Sequence, residues 1–264
     1  MRKIWILFIL FTSILHSQEI ILAVVPQQSS LKLIKTWQPI AQYLFEETGT
    51  KVVYKTDKSI EKFEANLYKG KYDLVYVNPY QYVVLHKKLN YKAKIRAKKN
   101  IIGIIVSKRN ENIKDILKDD PLFLFPSANA FAATRLIKYE LMKNFNYRFN
   151  TTKKIRYVNS HDSVYKAVAR GLGDLGGGIE RTFNALSDKQ SKSKLHISYK
   201  TKAYPSHPFA FRPDMDKKLQ SALIQAIIDM PKDLKDRLKI NKFIRVKDDE
   251  YTSIYSLAKE MMVK

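Results

Sequence analysis

The chain contains no cysteine, and this absence excludes disulfide bonds, thiolate nucleophiles, cysteine-ligated zinc, iron–sulfur clusters and a lipid-modified N-terminal cysteine. The sequence also lacks a phosphate-binding P-loop, a helical zinc-protease motif and a nucleophile-elbow motif, and no pair of carboxylates stands out as an acid–base couple. We therefore predict that the protein has no catalytic residues and holds neither a metal nor a cofactor.

Acidic residues are scarce, because 25 aspartates and glutamates stand against 48 lysines and arginines, which gives a formal charge of +23. Such a charge is typical of proteins that bind polyanions such as nucleic acids or acidic membranes. The lysines, however, occur along the whole sequence without a long basic block. We interpret the charge as a general property of the surface and predict no nucleic-acid partner. A basic surface protein that binds polyanions is kept as an alternative.

Long apolar runs are confined to the N-terminus, where Arg2 and Lys3 precede an apolar run over residues 4–15. A basic start, an apolar stretch and then small or polar residues are typical of a secretory signal peptide. The run is shorter than the ~20 residues of a membrane span, although an uncleaved anchor is an alternative. We predict a signal peptide over residues 1–17 and a periplasmic mature protein that meets the membrane only through its partner.

Short apolar strands then alternate with amphipathic helices, which is typical of an α/β fold. The first unit is predicted to contain strands 20–25, 51–54 and 72–77 and helices 30–48 and 59–69. The second is predicted to contain strands 101–107, 122–125, 154–158, 174–177 and 195–199 and helices 112–118, 127–144 and 161–170. From residue 205 onward the chain is predicted to be mainly helical, with helices 215–230, 232–238 and 251–262.

These elements predict two doubly wound α/β lobes with a cleft between them, followed by a helical C-terminal tail. The first lobe is assigned to residues 18–100 plus 204–264, and the second to residues 101–203. The chain is expected to cross between the lobes near residues 98–101 and 200–206, and the protein to be a monomer. Ligands of open α/β sheets lie beyond the carboxyl ends of the strands, so the loops at those ends are the candidate site.

Segment 125–134, which reads FPSANAFAAT, is the most informative of these loops. Small side chains at the start of a helix let a ligand approach the exposed backbone N–H groups, and an oxyanion is well placed there. Ser127, Ala128, Asn129 and Ala130 are the candidate ligand-binding residues. The alternatives are that Ser127 is only a helix N-cap and that the alanines serve a tight contact between helix and sheet.

Other loops offer weaker candidates at the same kind of position. Gln27 follows the first strand, and Asn78 and Tyr80 lie in the helix start YVNPY of residues 76–80. His161 opens a helix, where a neutral imidazole can still make a hydrogen bond to an anion. His207 lies at the second crossing. For each of these residues, a structural role such as capping or packing is the alternative.

Segment 171–176 reads GLGDLG, which matches the dinucleotide fingerprint in letters only. The fingerprint follows a strand and opens a helix, whereas Gly171 here follows a predicted helix and is interpreted as its C-terminal stop. The GGG run at 176–178 is interpreted as a strand end that allows close approach of other backbone. Glu180, which follows it, is a candidate for binding a ligand amine or for a salt bridge.

Taken together, these loops resemble those of the substrate-binding proteins of phosphonate, phosphite and phosphate ABC transporters. The resemblance rests on the segments YVNPY (76–80), FPSANAFAAT (125–134), HDSVY (161–165), GGG (176–178) and RTF (181–183). It implies a type II periplasmic-binding fold that closes around a compact tetrahedral oxyanion.

The resemblance also implies roles for particular residues. Ser127, Asn129 and Ala130 occupy the positions that donate to the oxygens of the anion, and Tyr80 and His161 match positions that contact it. Glu180 falls where aminophosphonate binders place a carboxylate. Many relatives have a helix start like Ser-Thr-Ser-Gly where this chain has Ser-Ala-Asn-Ala, so fewer hydroxyls are present here.

We therefore predict an extracytoplasmic solute-binding protein that captures a small oxyanion of phosphonate, phosphite or phosphate type by lobe closure and delivers it to an ABC transporter permease. The alternative within a related class is the ligand-binding subunit of an extracytoplasmic sensor that works with a histidine kinase.

Overall fold

The computed structural model describes residues 19–149, 154–247 and 249–262. The predicted signal peptide at residues 1–17 lies outside the described residues. In the described part, the strands are β1 Ile20–Val24, β2 Val52–Lys55, β3 Leu74–Tyr76, β4 Lys92–Ala97, β5 Ile101–Ser107, β6 Phe123–Phe125, β7 Ile155–Tyr157, β8 Leu175–Ile179, β9 His196–Tyr204, β10 Pro208–Phe211 and β11 Phe243–Arg245. The helices are α1 Ser30–Thr48, α2 Ile60–Leu67, α3 Pro79–Leu89, α4 Ile113–Ile116, α5 Leu136–Phe145, α6 His161–Ala169, α7 Glu180–Asn184, α8 Lys189–Ser193, α9 Lys217–Asp229, α10 Lys232–Leu238 and α11 Thr252–Met262.

These strands form two mixed sheets flanked by helices. The first sheet has the order β11-β4-β10-β3-β1-β2, and the second has the order β7-β6-β8-β5-β9. The parallel pairs are β1 with β2 and β3, and β6 with β7 and β8. Strands β10 and β5 run antiparallel to both of their neighbours. The predicted fold class, two α/β lobes, is confirmed.

The chain passes between the sheets twice, once between β4 and β5 over residues 98–100 and once between β9 and β10 over residues 205–207. The segment after the second passage was predicted to be mainly helical, but it contributes strands β10 and β11 to the first sheet. The prediction also missed β4, α7 and α8. The boundaries of the lobes stay a prediction.

Helix α1 illustrates how the sequence dictates an element. Its buried face is formed by Leu33, Trp37, Ile40 and Leu44 at helical spacing. The helix ends at Gly49, whose φ of 66° places it in the left-handed region and whose N–H donates to the Phe45 carbonyl at 2.8 Å. Within the described residues, no helix has the length and the apolar character that crossing a bilayer requires.

The predicted helix 127–144 is divided. Residues 127–130 form a turn, Phe131–Arg135 is a turn of π-helix, and α5 continues from Leu136. The π-helical turn lies against bare backbone of the second sheet, because a Cβ at Gly103 would clash with the Ala132 carbonyl and a Cβ at Gly177 with the Ala133 carbonyl. The glycine run of β8 therefore allows the close backbone approach that the sequence predicted.

This contact gives a testable prediction for stability. Gly177→Ala places a methyl group against the Ala133 carbonyl and the Phe125 ring, and overpacking of this kind costs about 1–3 kcal/mol. Urea unfolding should show that loss. The control is Gly49→Asn, since nothing lies within 4 Å of a Cβ there and asparagine tolerates the left-handed region. Equal, small losses in both variants would contradict the contact.

Candidate functional site

Three of the predicted site residues lie at one edge of the first sheet. Gln27 follows β1, Asn78 follows β3, and His207 precedes the antiparallel strand β10. The edge is held together by backbone hydrogen bonds, since Val25 N–H donates to the carbonyl of the residue that ends β3 at 3.1 Å and Val77 N–H donates to the Pro208 carbonyl at 3.3 Å.

Three others lie at the carboxyl ends of the parallel strands of the second sheet. Ser127 follows β6, His161 follows β7 and Glu180 follows β8. The loops after β6 and β7 begin side by side, because Val158 N–H donates to the Phe125 carbonyl at 2.9 Å.

The two edges meet at Gln27. The backbone N–H of His161, the first residue of α6, donates to the Gln27 carbonyl at 3.1 Å. The Gln27 amide Nε2 donates to His207 Nε2 at 2.6 Å. Nearby, the Lys32 ammonium lies 3.7 Å from the Asp162 carboxylate. The structure thus brings together Gln27, His161 and His207, which are far apart in sequence.

Asn78 presents a buried donor that has no partner in the described part of the chain. Its Oδ1 accepts from the Gln81 backbone N–H at 2.8 Å, and Gln81 Oε1 accepts from the Asn78 N–H at 3.1 Å, a reciprocal capping box at the start of α3. This arrangement fixes the amide orientation. The Nδ2 group is buried without a hydrogen-bond partner among the described residues, and the residue is only 1% exposed.

His161 presents a second such atom on the facing sheet. Its Nδ1 forms a hydrogen bond with Thr182 Oγ1 at 3.0 Å, while its Nε2 is buried and unpaired within the described chain. Burial lowers the pKa of His161 to about 3, and the positive charges of Arg181 and Lys32 add to this effect. The ring is therefore neutral at physiological pH, with one N–H and one lone pair.

Ser127 and Asn129 make side-chain hydrogen bonds across the cleft to carboxylates of α2. The Ser127 hydroxyl donates to Glu61, and Asn129 Nδ2 donates to Glu64 Oε2 at 2.6 Å. The Asn129 backbone N–H donates to Ser127 Oγ at 3.1 Å. In this structure, two of the predicted anion donors thus bind carboxylates of the protein itself.

Glu64 is a buried acid in this interface, and its surroundings shift its pKa. Burial raises the pKa of Glu64, although hydrogen bonds from Gln81 and Asn129 and the charge of Arg135 act in the opposite direction. Burial also acts to raise the pKa of Glu61, but hydrogen bonds from Ser127, its own backbone N–H and Ser59 outweigh burial, and the net effect is a lowered pKa. Neither glutamate is among the predicted site residues, and their signal in the sequence was their spacing of three residues near a helix start.

Tyr80 and Arg135 form a further contact between the sheets. The Arg135 guanidinium lies 4.4 Å from the centre of the Tyr80 ring and donates to Asn129 Oδ1 at 2.7 Å. Burial of the Tyr80 ring in the same apolar cluster as Ala130 shows that packing is at least part of its role. Of the neighbouring alanines, Ala128 is exposed.

The alanines of this segment have a structural explanation. Ala130, Ala132 and Ala133 are buried, and the carbonyls of the last two lie over glycines of the second sheet. Ala130, at the N-cap position of the π-helical turn, makes no side-chain cap hydrogen bond. The tight contact between helix and sheet therefore accounts for the small side chains at positions 130, 132 and 133.

Glu180 forms the salt bridges that were the alternative to an amine site. Its carboxylate lies 2.8 Å from the Lys200 ammonium and 3.2 Å from that of Lys99. The hydrogen bond from Lys200 is the largest cause of the lowered pKa of Glu180, and Lys99 contributes further. A ligand amine would have to compete with both lysines.

A known protein family matches the chain over most of its length. The family described as "ABC transporter, phosphonate, periplasmic substrate-binding protein" matches residues 22–251. The chain belongs to this family. Its members are extracytoplasmic proteins that bind a small ligand, work with an ABC transporter and are not enzymes, so the predicted solute-binding role is confirmed.

Solved structures share the fold. PhnD1 from Prochlorococcus marinus, in complex with methylphosphonate, has a TM-score of 0.84 at 18% identity and covers 92% of this chain and 98% of its own. A binding-protein component of an ABC phosphonate transporter from Pseudomonas aeruginosa has a TM-score of 0.83 at 14% identity, with 94% of this chain and 88% of its own covered.

The burial of His161 predicts a pH dependence of stability. Below a pH of about 6.5 the unfolded chain takes up a proton on this ring, whereas the folded protein does not until a pH of about 3. The free energy of unfolding should therefore fall as the pH decreases through this window, by up to about 1.4 kcal/mol per pH unit for this group. His161→Gln should reduce the slope, measured by urea unfolding between these limits.

His196→Gln is the matched control, because it removes a histidine on the exposed side of β9, and it should keep the wild-type slope. An unchanged slope in His161→Gln would show that His161 is not held neutral in the folded protein.

Proposed function

We propose that this protein captures a small tetrahedral oxyanion of phosphonate, phosphite or phosphate type between its lobes and delivers it to an ABC transporter permease. The lobes are residues 18–100 plus 204–264 and residues 101–203, and the protein acts as a periplasmic monomer after removal of a signal peptide over residues 1–17. The family description names an ABC transporter, which favours a permease over a sensor kinase as the partner.

The observation that carries this proposal is the pair of buried, unpaired atoms on facing sheets, Asn78 Nδ2 and His161 Nε2. An amide N–H₂ buried without a partner costs about 1–3 kcal/mol, so its presence at a strand end indicates a ligand that accepts hydrogen bonds. His161 Nε2 can donate to a bare oxygen of that ligand or accept from a protonated one. The Asn78 amide carries no charge, and the His161 ring is neutral because burial lowers its pKa.

The lobes are expected to close around the ligand because each of them contributes residues to the site. Asn78 comes from the first lobe, and His161 and Ser127 come from the second. A ligand that contacts both sets of residues binds the closed form more tightly than the open form, and this difference in affinity shifts the population toward closure. The closed surface is then what the permease recognises.

Asn78 can be tested without disturbing the helix that it caps. Asn78→Asp keeps the cap, because aspartate is as good an N-cap as asparagine, but replaces the donor with a carboxylate oxygen that repels an anion. We expect methylphosphonate, the ligand of the similar PhnD1 structure, to bind at least about 100-fold more weakly, or about 2.7 kcal/mol, by isothermal titration calorimetry.

Asn112→Asp is the matched control, since Asn112 caps α4 through the same side-chain oxygen but lies outside the candidate site. It should bind methylphosphonate like the wild type. If Asn78→Asp also keeps the wild-type affinity, Asn78 does not contact the ligand. If the wild type binds none of methylphosphonate, phosphite and phosphate in a thermal-shift panel, the proposal is wrong.

Ser127 and its partner Glu61 give an independent test. Ser127→Ala should weaken methylphosphonate binding about tenfold, or about 1.4 kcal/mol. Glu61→Gln should strengthen it, because a negative charge that competes for the hydroxyl is removed. Glu46→Gln on α1, whose carboxylate accepts from Gln42, is the control for a distant charge change. Unchanged calorimetric affinity in both Ser127→Ala and Glu61→Gln would exclude Ser127 from the site.

A salt series separates this proposal from the polyanion alternative. Binding to a basic surface weakens steeply with ionic strength, whereas an anion enclosed between the lobes is largely shielded from added salt. Methylphosphonate affinity should therefore change little between low and physiological salt.

A further inference from the structure

Glu64 on α2 is a buried carboxylate that connects side chains from both halves of the fold. Its Oε1 accepts from the Gln81 side-chain amide at 3.2 Å, and its Oε2 accepts from the Asn129 side-chain amide at 2.6 Å. Glu64 and Gln81 lie on helices between strands of the first sheet, whereas Asn129 follows β6 of the second sheet. One carboxylate therefore binds two amides that come from opposite sides of the cleft.

A second hydrogen bond fixes the orientation of the Gln81 amide. Gln81 Oε1 accepts from the Asn78 backbone N–H at 3.1 Å, so the NH₂ group of the same amide points to Glu64. Gln81 is 0% exposed, and its own backbone N–H donates to Asn78 Oδ1 at 2.8 Å. Glu64 thus orients the residue that in turn orients Asn78, whose Nδ2 is an unpaired buried donor in the described part of the chain.

The orientation of the Asn129 amide is fixed in the same way from the other side. Arg135 Nη2 donates to Asn129 Oδ1 at 2.7 Å, so the NH₂ group of Asn129 points to Glu64. Two NH₂ groups therefore face the side chain at position 64, and an amide NH₂ group can only donate. A carboxylate accepts from both of them. A glutamine accepts from one and turns its own NH₂ group toward the other.

Glu61, one turn earlier on α2, differs from Glu64 in the chemistry of its partner. It accepts from the Ser127 hydroxyl, and a hydroxyl can either donate or accept. A glutamine at position 61 can therefore keep a hydrogen bond to Ser127 with either end of its amide. The need for a carboxylate is thus specific to position 64, where both partners are donors.

We propose that Glu64 is a positioning residue for ligand binding, which orients Asn78 through Gln81 and binds Asn129 across the cleft at the same time. The inference rests on the proposed function, because it concerns the alignment of Asn78 toward the oxyanion. In Glu64→Gln, an oxygen turned to Asn129 leaves the Gln81 amide to rotate away from the Asn78 N–H. An oxygen turned to Gln81 instead brings two NH₂ groups together across the cleft, and their repulsion opposes closure.

The test exchanges the carboxylate and the amide between positions 64 and 81. Glu64→Gln alone should weaken methylphosphonate binding about tenfold, or about 1.4 kcal/mol, by isothermal titration calorimetry. The double variant Glu64→Gln/Gln81→Glu should bind within about threefold of the wild type. In this variant the new glutamine accepts from Asn129 and donates to the new glutamate, which accepts from the Asn78 N–H as glutamate does in a capping box.

The same exchange on α1 is the matched control. Gln42 Nε2 donates to Glu46 Oε1 at 2.9 Å, and both residues are exposed. Glu46→Gln and Gln42→Glu/Glu46→Gln repeat the two changes of charge away from the candidate site. Both should bind methylphosphonate within about twofold of the wild type. Thermal unfolding of each variant verifies that it is folded.

Two results would overturn the positioning role while the proposed function stands. One is unchanged or tighter methylphosphonate binding in Glu64→Gln, which would mean that Glu64 only competes for donors, as is expected of Glu61. The other is an equal loss of affinity in Glu64→Gln and in the double variant with Gln81→Glu, since the exchange restores each hydrogen bond.

Hydrogen exchange followed by NMR tests the same hydrogen bonds without ligand. In Glu64→Gln, the Asn78 backbone N–H or the Asn129 side-chain NH₂ should lose protection, and the double variant with Gln81→Glu should restore it. Unchanged protection of both groups in Glu64→Gln would overturn the positioning role. A wild type that binds none of methylphosphonate, phosphite and phosphate would instead refute the proposed function, and hydrogen exchange would still decide whether Glu64 orients these groups.

Discussion

The hydrogen bond from the His161 backbone N–H to the Gln27 carbonyl at 3.1 Å is the contact on which the cleft depends. It joins the start of α6 in the second sheet to the end of β1 in the first, and through Gln27 it extends to His207. One amide of a helix N-terminus, which would otherwise attract an anion, is thereby used to hold the two sheets together. Of the two unpaired buried groups, His161 Nε2 belongs to a residue of this junction, whereas Asn78 Nδ2 is oriented by the capping box with Gln81.

The glutamates of α2 occupy the donors that the proposed oxyanion would use at Ser127 and Asn129. Because Glu61 and Glu64 already accept from Ser127 and Asn129, a ligand that uses those donors exchanges one anion for another. The two carboxylates also provide contacts between the lobes. The charge of Arg135, which contacts both Asn129 and Tyr80, offsets part of the negative charge. Under the proposed function, affinity and closure are therefore coupled through the same few hydrogen bonds.

Local patterns were sufficient to predict most of the architecture. The buried runs of β1 and β5 and the apolar stripe of α1 are signals contained within one element. Strands β10 and β11 were missed because each is short and antiparallel, and β10 begins at Pro208, so neither shows a period that a sequence window can measure. Their place in the sheet is decided by neighbours distant in the chain.

For the candidate site, the positions of the residues could be predicted from the sequence, but their hydrogen-bond partners could not. Strand ends and helix starts placed Asn78, Ser127 and His161 at facing edges, because those positions follow from topology alone. The partners of those residues could not be predicted in this way. Glu61 lies on an amphipathic helix, and nothing in the sequence indicates that its carboxylate contacts Ser127 of the other lobe. The alanine run was likewise ambiguous, because a close backbone approach depends on glycines some 30 to 45 residues away in the chain.

His207 belongs to one of the two three-residue passages between the sheets, at residues 205–207. Its ring is nevertheless buried, stacked on Tyr76 and bonded to Gln27. Tyr76 and Gln27 belong to the first lobe as assigned, so the ring of His207 stays with that lobe when the proposed closure rotates the second lobe about these passages. The second passage is thus anchored to the first sheet through a buried side chain, and the backbone torsions left to change on closure are those of the residues before His207.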